Sequence, residues 1–294
     1  MKIIITPDDH KIQKDQFSFF VYDLDTKDLI HAEPKNDNLD CPQDAGKGRS
    51  TFRPFGIEMD KDNIYIASNS KLAVFDKSNY KYKENIAFPL FVNTHQLIKS
   101  EDVFYVCNTA IDSIGIYGKE FKQLNVNTKK IEDDFEQPID CEKHDLSHVN
   151  SIYEHNGFIY YCLHNLGRKQ SQFYRFNKIT LKVEYLFDGG HCVHNIVILD
   201  GILYSLSSDT GEIIIYDLTS KELKYQLVVL SAITFLRGLA VYKDLIYFGA
   251  SNNFNIEPIK ENCNIFSFNP KTNEIKHVIH LSEMLTITDL KILT

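Results

Sequence analysis

Three histidines, His95, His148 and His194, stand at or just ahead of short apolar runs: THQLIK, SHVNSIY and HNIVIL. Neutral imidazoles suit zinc, iron or copper, and three of them leave a coordination position open for water or substrate. Arg53 and Arg237 precede comparable runs, and a guanidinium offers a fixed fork for a carboxylate, a phosphate or developing negative charge. The chemistry such a set would perform is that of a metal-dependent lyase or hydrolase acting on a small polar, anionic substrate. Asn93, Asn108, Asn150, His164, Arg168 and Asn252 are the candidate substrate-binding residues beside them. Calcium is served less well, because the acidic tract EDDF from Glu132 lacks the regular ligand spacing of a calcium loop.

What must position these residues is a repeat. Twenty Phe, sixteen Tyr and many Ile and Val recur in runs such as NIYIAS, VFYVCN, FIYYCL, ILYSLS and LIYFGA, each bounded by turn residues, and these read as strands. Before each run lies a further strand and an acidic or Asn-Gly turn. After each lie a strand, a polar turn and a strand again. Repeat starts at Phe55, His95, Asn150, His194 and Arg237 are 40, 55, 44 and 43 residues apart, which suits four-stranded propeller blades. Helical stripes are nearly absent, the least weak being Ile131 to Phe135 and Leu281 to Leu285.

A sixth repeat is split. TDLKIL at the C-terminus matches a first strand, while KIIIT and QFSFFVYDLDTKDLIH at the N-terminus match strands two to four. Pairing the last strand with the N-terminal ones would close the blade and remove two sheet edges. The expectation is therefore an all-β chain, residues 1–294 forming one six-bladed β-propeller domain. Aligned blade starts then form one ring (Phe55, His95, Asn150, His194, Arg237, Thr288), with a second ring two residues earlier (Arg53, Asn93, His148, Cys192, Phe235, Thr286). His148 is offset by two from His95 and His194, and within a strand a step of two keeps the same face.

With FLRGLAVYKDLIYFGAS from Phe235, SHVNSIYEHNG from Ser147 and THQLIKSEDVFYVCNT from Thr94, the chain resembles a family of bacterial six-bladed β-propeller proteins of unassigned function. Its members carry R-G-L, H-x-N and T-H-[DQ]-[IL] steps at these blade positions. The resemblance runs from about Phe55 to Ser251 and implies the fold without implying a reaction. At the level of the constellation alone, three histidines with a nearby arginine on a six-bladed propeller are similar to peptide-amidating lyases.

A second use of the same residues stays open. Polar groups at the mouth of a propeller channel also serve to hold water and bridge blades, in which case the protein is a non-catalytic binding module for a protein or glycan partner. Tryptophan is absent, which weighs mildly against sugar stacking, although the tyrosines can substitute. The residues thus leave enzyme and module both open. Composition narrows the partners: a formal charge of −8 repels phosphate backbones and anionic lipid, so neither nucleic acid nor a membrane surface is expected. No apolar run approaches the length of a membrane span, and the opening MKIIITPDDHK does not read as a secretory signal. The six cysteines lie far apart with no CxxC pair, as expected of a reduced, cytoplasmic protein.

Overall fold

A computed structural model describes residues 1–7, 17–34, 54–68, 71–88, 90–91, 93–132, 145–228, 234–252, 263–282, 284 and 286–293. Arg53 lies outside them, as does the side chain of Asn252. Six antiparallel sheets account for the described residues, as in a six-bladed β-propeller.

The first sheet joins the two ends of the chain. It comprises β1 (Lys2–Pro7), β2 (Phe17–Asp23), β3 (Leu29–Pro34) and the final strand, which pairs with β1. The second sheet is β4 (Gly56–Met59), β5 (Asn63–Ala67), β6 (Leu72–Asp76) and β7 (Tyr82–Ile86). The third is β8 (Thr94–Ser100), β9 (Val103–Asn108), β10 (Ser113–Tyr117), β11 (Phe121–Asn125) and β12 (Lys130–Glu132). The fourth is β13 (Val149–His155), β14 (Phe158–Leu163), β15 (Gln172–Asn177) and β16 (Val183–Asp188). The fifth is β17 (Val193–Leu199), β18 (Ile202–Ser207), β19 (Glu212–Asp217) and β20 (Leu223–Leu227). The sixth is β21 (Thr234–Tyr242), β22 (Leu245–Asn252), β23 (Cys263–Asn269) and β24 (Glu274–Leu281), after which β25 (Ile287–Leu293) completes the first.

One sheet departs from the four-strand repeat. Ile131, in the weak helical stripe, sits instead in β12, which pairs with β11 and gives the third sheet a fifth strand. Four residues of turn after Asn125 return the chain alongside β11, and Lys129 takes a left-handed φ of 61° at that reversal. Among the described residues the only helical pieces are two 3-10 turns, Thr109–Ile111 and Asn165–Gly167.

The chain falls into two compact units, residues 1–55 with 197–294, and residues 56–196. In each, strands near the start of a sheet are buried on both faces, as in β1 and β14, while fourth strands such as β7 and β20 are half exposed. This is why runs like KIIIT and FIYYCL read as nearly continuous apolar stretches rather than as alternation. In unit 1 the closing strand contributes Leu290 and Ile292 to a core shared with Ile3, Ile5, Phe20, Ala240 and Ile265. Its pairing with β1 runs from Lys2 opposite Leu293 to Thr6 opposite Asp289, so the split repeat closes as expected. Unit 2 has one core between the second and third sheets, around Val74, Phe104 and Tyr117, and another between the third and fourth, around Tyr105, Ile114, Tyr161 and Phe176.

Candidate functional site

Three residues that precede strands in unit 2 share one backbone conformation. Asn93, His148 and Cys192 have φ of 46°, 55° and 50°, each immediately before the first residue of β8, β13 or β17. Non-glycine residues rarely adopt this left-handed region, so its recurrence marks a turn built into the repeat. It also changes how His148 should be read. His148 lies outside β13, and the alternation of strand side chains does not apply to it.

The turn nevertheless brings His148 beside His95. Their ring centroids are 5.0 Å apart at 81°. His148 in turn lies 4.9 Å from His164, and His164 lies 5.0 Å from His194. Four imidazoles thus follow one another in a row: 95, 148, 164, 194. His95, His164 and His194 are all buried, and His148 retains a side-chain exposure of 16%. His95 is the second residue of β8 and His194 the second of β17, while His164 caps the 3-10 turn after β14. Gly56 lets β4 pass close to this point, since a Cβ there would stand 2.4 Å from the His95 carbonyl oxygen.

The segment carrying His148 is held from two sides. Asp112, itself buried with a left-handed φ of 48°, accepts three successive amides: Leu146 at 2.8 Å, Ser147 at 2.7 Å and His148 at 2.7 Å. Asn127 donates its side-chain amide to the same carboxylate at 3.0 Å. On the other side the carbonyls of Ser147 and His148 accept the amides of Asn165 and His164, at 2.8 and 3.1 Å. Lys129 approaches Asp112 from a half-buried position, with its ammonium 4.0 Å over the Tyr174 ring. Burial pushes its pKa down to about 8, against the pull of the Asp112 charge.

Hydrogen bonds distinguish the two central rings. His148 Nδ1 lies 2.8 Å from Asp145 Oδ2 and 3.1 Å from Oδ1. A carboxylate only accepts, so Nδ1 carries the hydrogen and the neutral ring keeps its lone pair on Nε2. His164 is the reverse: its Nδ1 accepts the Leu166 amide at 3.1 Å, which places the ring hydrogen on Nε2. Adjacent rings therefore present an acceptor and a donor.

The other sequence candidates are placed as follows. Asn150 is buried, donates to the Val193 carbonyl of β17 at 3.0 Å and accepts from the neighbouring Ser151 hydroxyl at 2.9 Å, so its amide ties β13 to β17 and is satisfied at both ends. Asn108 is buried and donates to the Tyr117 hydroxyl at 3.1 Å. Arg168 is exposed at the end of the second 3-10 turn. Arg237 belongs to unit 1, at a bulge in β21, with its guanidinium 5.0 Å over the Phe235 ring. Cys107 and Cys162 are fully buried, and burial pushes both thiols well above their ordinary range, so neither is a nucleophile at neutral pH.

Among the described residues, no three His, Cys, Asp or Glu side chains stand together in an arrangement that holds a metal ion. The row explains why. His164 lies between His148 and His194, and its Nδ1 is already engaged by a backbone amide. Sequence reasoning missed Asp112 and Asp145. The signal for Asp145 was present as an Asp-x-x-His step, whereas Asp112 is 36 residues from His148 and gave none.

No family model matches the chain, and no curated protein matches it. Solved structures do. A protein of unknown function from Bacteroides caccae aligns with TM-score 0.66 at 12% identity, covering 99% of this chain and 97% of that one. A chain from a nidogen/laminin complex aligns with TM-score 0.67 at 8% identity, with the same coverage. At such identities the likeness is one of fold alone.

Proposed function

We propose that this chain is a ligand-binding β-propeller whose histidine row in unit 2 takes up a small polar molecule. The observation that supports the reading is the row itself: four imidazoles at successive spacings of 4.9–5.0 Å, three of them buried. Apolar side chains would fill that space at lower cost, since a buried polar group must find partners or lose free energy. The test is a thermal-shift screen of small polar acids, amides and sugars against the wild type and His148→Ala/His164→Ala. A ligand at about 100 times its Kd raises stability by about 2.7 kcal/mol, and the double variant should lose that shift. A shift kept in the variant would remove the row from the binding site.

The metal-dependent lyase or hydrolase is a second reading, favoured by one distance. Two imidazoles sharing an ion at about 2.1 Å have centroids roughly 5 Å apart, and His95 and His148 stand at 5.0 Å with Asp145 behind His148. Zinc, iron or copper would be held there, with His194 as the third ligand only after His164 turned aside. Elemental analysis of protein purified without a histidine tag decides it. Stoichiometric transition metal supports the enzyme, and metal-free protein that gives a ligand-dependent shift supports the binding module. The neighbour from a nidogen/laminin complex favours a protein partner for that module, but a protein partner gives no reason for buried imidazoles. The buried free thiols of Cys107 and Cys162 accord with a reducing, cytoplasmic setting.

A further inference from the structure

We propose that unit 1 carries a metal site on the third and fourth strands of the sixth sheet, where His277 Nε2, His280 Nδ1 and Asn264 Oδ1 take a Cu2+ or Ni2+ ion. The site is separate from the histidine row, since all three residues lie in unit 1. Its origin is a bulge. Residues three apart on a regular strand face opposite ways. In β24, however, Ile279 stands opposite Ile265 while His277 stands opposite Phe266, so Val278 is an extra residue. His280 stands opposite Asn264, and the bulge turns His277 to that same face. Both histidines are exposed there, whereas Ile279 and Leu281 are buried in the core on the other face.

The two rings converge on one atom. His277 Nε2 lies 3.0 Å from Asn264 Oδ1, and His280 Nδ1 lies 3.2 Å from it. A carbonyl oxygen only accepts, so without an ion each ring turns an N–H toward it. His277 is further oriented by the Phe266 ring, 5.4 Å away and at 75° to it. For atoms about 2.1 Å from a common ion, oxygen–nitrogen separations of 3.0 and 3.2 Å subtend about 90–100°. Such angles belong to tetragonal or octahedral Cu2+ and Ni2+, whereas tetrahedral zinc asks for wider ones. To take the ion, each imidazole moves its hydrogen to its outer nitrogen, His277 Nδ1 or His280 Nε2. Neither outer nitrogen has a hydrogen-bond partner among the described residues, so the exchange breaks no bond there. Coordination uses only the oxygen of Asn264 and leaves its amide nitrogen untouched. Water completes the exposed shell, and the formal charge of −8 favours a cation. Two histidines and a carboxamide also accord with the absence, among the described residues, of any metal-holding group of three His, Cys, Asp or Glu.

The probe is NiCl2, titrated calorimetrically into the full chain purified without a histidine tag, at about pH 8 where imidazoles are neutral. Affinity should fall by about tenfold or more in His277→Ala and again in His280→Ala. Both side chains are exposed, so the thermal transition should not move. Asn264→Asp places an anionic oxygen at the same point and should tighten binding several-fold, a gain that a purely structural carboxamide would not give. Excess Mg2+ should not displace the nickel, because a hard cation prefers oxygen ligands. Absence of nickel binding, or an affinity unaltered by either histidine variant, overturns the site. Binding no tighter in Asn264→Asp overturns the oxygen ligand, and displacement by Mg2+ overturns the nitrogen ligands. The row is separated by His148→Ala/His164→Ala, which should leave the nickel affinity unchanged. A loss confined to that variant would put the ion on the row and overturn the site in unit 1.

Discussion

Units 1 and 2 use the same place, the first residues of a sheet's leading strand, for opposite ends. In unit 1 the polar groups there answer backbone. The Thr288 hydroxyl donates to the Pro54 carbonyl at 2.6 Å, and the Thr6 hydroxyl lies 2.8 Å from that of Thr288. In unit 2 the corresponding residues are His95 and His194, and they line up with His148 and His164 ring to ring. Hydroxyls that satisfy carbonyls of their own unit hold the chain together. Whether the imidazoles of unit 2 hold their sheets in the same way is what separates a structural row from the binding site proposed above.

The largest expected effect tests unit 1. Deleting residues 287–294 removes one of the two partners of β1, together with Leu290 and Ile292 from the core. An exposed edge and an open core should follow, seen as loss of a cooperative thermal transition or as aggregation. An unchanged transition would show that β25 does not hold the unit together. A smaller lesion at the same place is Gly238→Ala. Gly238 has φ of 74°, and a Cβ there would stand 2.9 Å from Leu290 Cγ and 3.1 Å from the Leu290 amide nitrogen. Left-handed strain and overpacking together should cost about 2–4 kcal/mol in urea denaturation.

The closure was legible in the sequence because pairing depends on strand pattern, and TDLKIL and KIIIT carry that pattern plainly. The strands VFYVCN, FIYYCL and ILYSLS were legible for the same reason, and their bounds agree with β9, β14 and β18. The site was legible only in part. His95 and His194 could be found from the repeat because they lie inside strands. The neighbourhood of His148 was expected from alternation, but it arises from a left-handed turn, a backbone state that a histidine does not announce. Asp112 was out of reach because its role is to collect amides, and amides leave no trace in residue type. His164 was expected only as a substrate-binding residue beside the three histidines, whereas the 3-10 turn after β14 folds it into the middle of the row.

In unit 2 the sharper test is Asp112→Asn. A carboxamide offers one acceptor oxygen where the carboxylate uses two, so at least one of the three charge-assisted amide bonds is lost. The expected cost is about 2–3 kcal/mol, measured by urea denaturation, together with loss of the Nδ1–H signal of His148. Full stability with an intact tautomer would mean that the segment is held by its carbonyls alone.

The other end of β8 offers an internal control. Lys99 lies 2.5 Å from Asp60, whose carboxylate also accepts the Tyr65 hydroxyl at 2.6 Å and the amides of Asp62 and Asn63. Burial works to raise the Asp60 pKa, yet these bonds outweigh it and hold the carboxyl well below its usual range. A depressed folded pKa gives stability that is present above the unfolded value of about 3.9 and lost as pH falls toward the folded one. Lys99→Met, which keeps the apolar stem, should shrink that acid loss by about 1 kcal/mol. Urea midpoints at neutral and acid pH would read it, and identical pH dependence in the variant would show that Lys99 contributes nothing to it.

The smallest expected effect bears most directly on the contrast between the units. Thr288→Val strands the Pro54 carbonyl without its hydroxyl donor and should cost about 1 kcal/mol. His95→Met, at the equivalent place in unit 2, exchanges a buried ring for an adaptable apolar side chain of similar length. Functional groups placed against the interest of folding are often neutral or stabilising to replace, so the change in unfolding free energy should be less than about 1 kcal/mol in either direction, and any ligand-dependent shift should fall. A loss of several kcal/mol with ligand binding intact would reverse the contrast, because the histidines of unit 2 would then be holding the sheets together as the hydroxyls of unit 1 do.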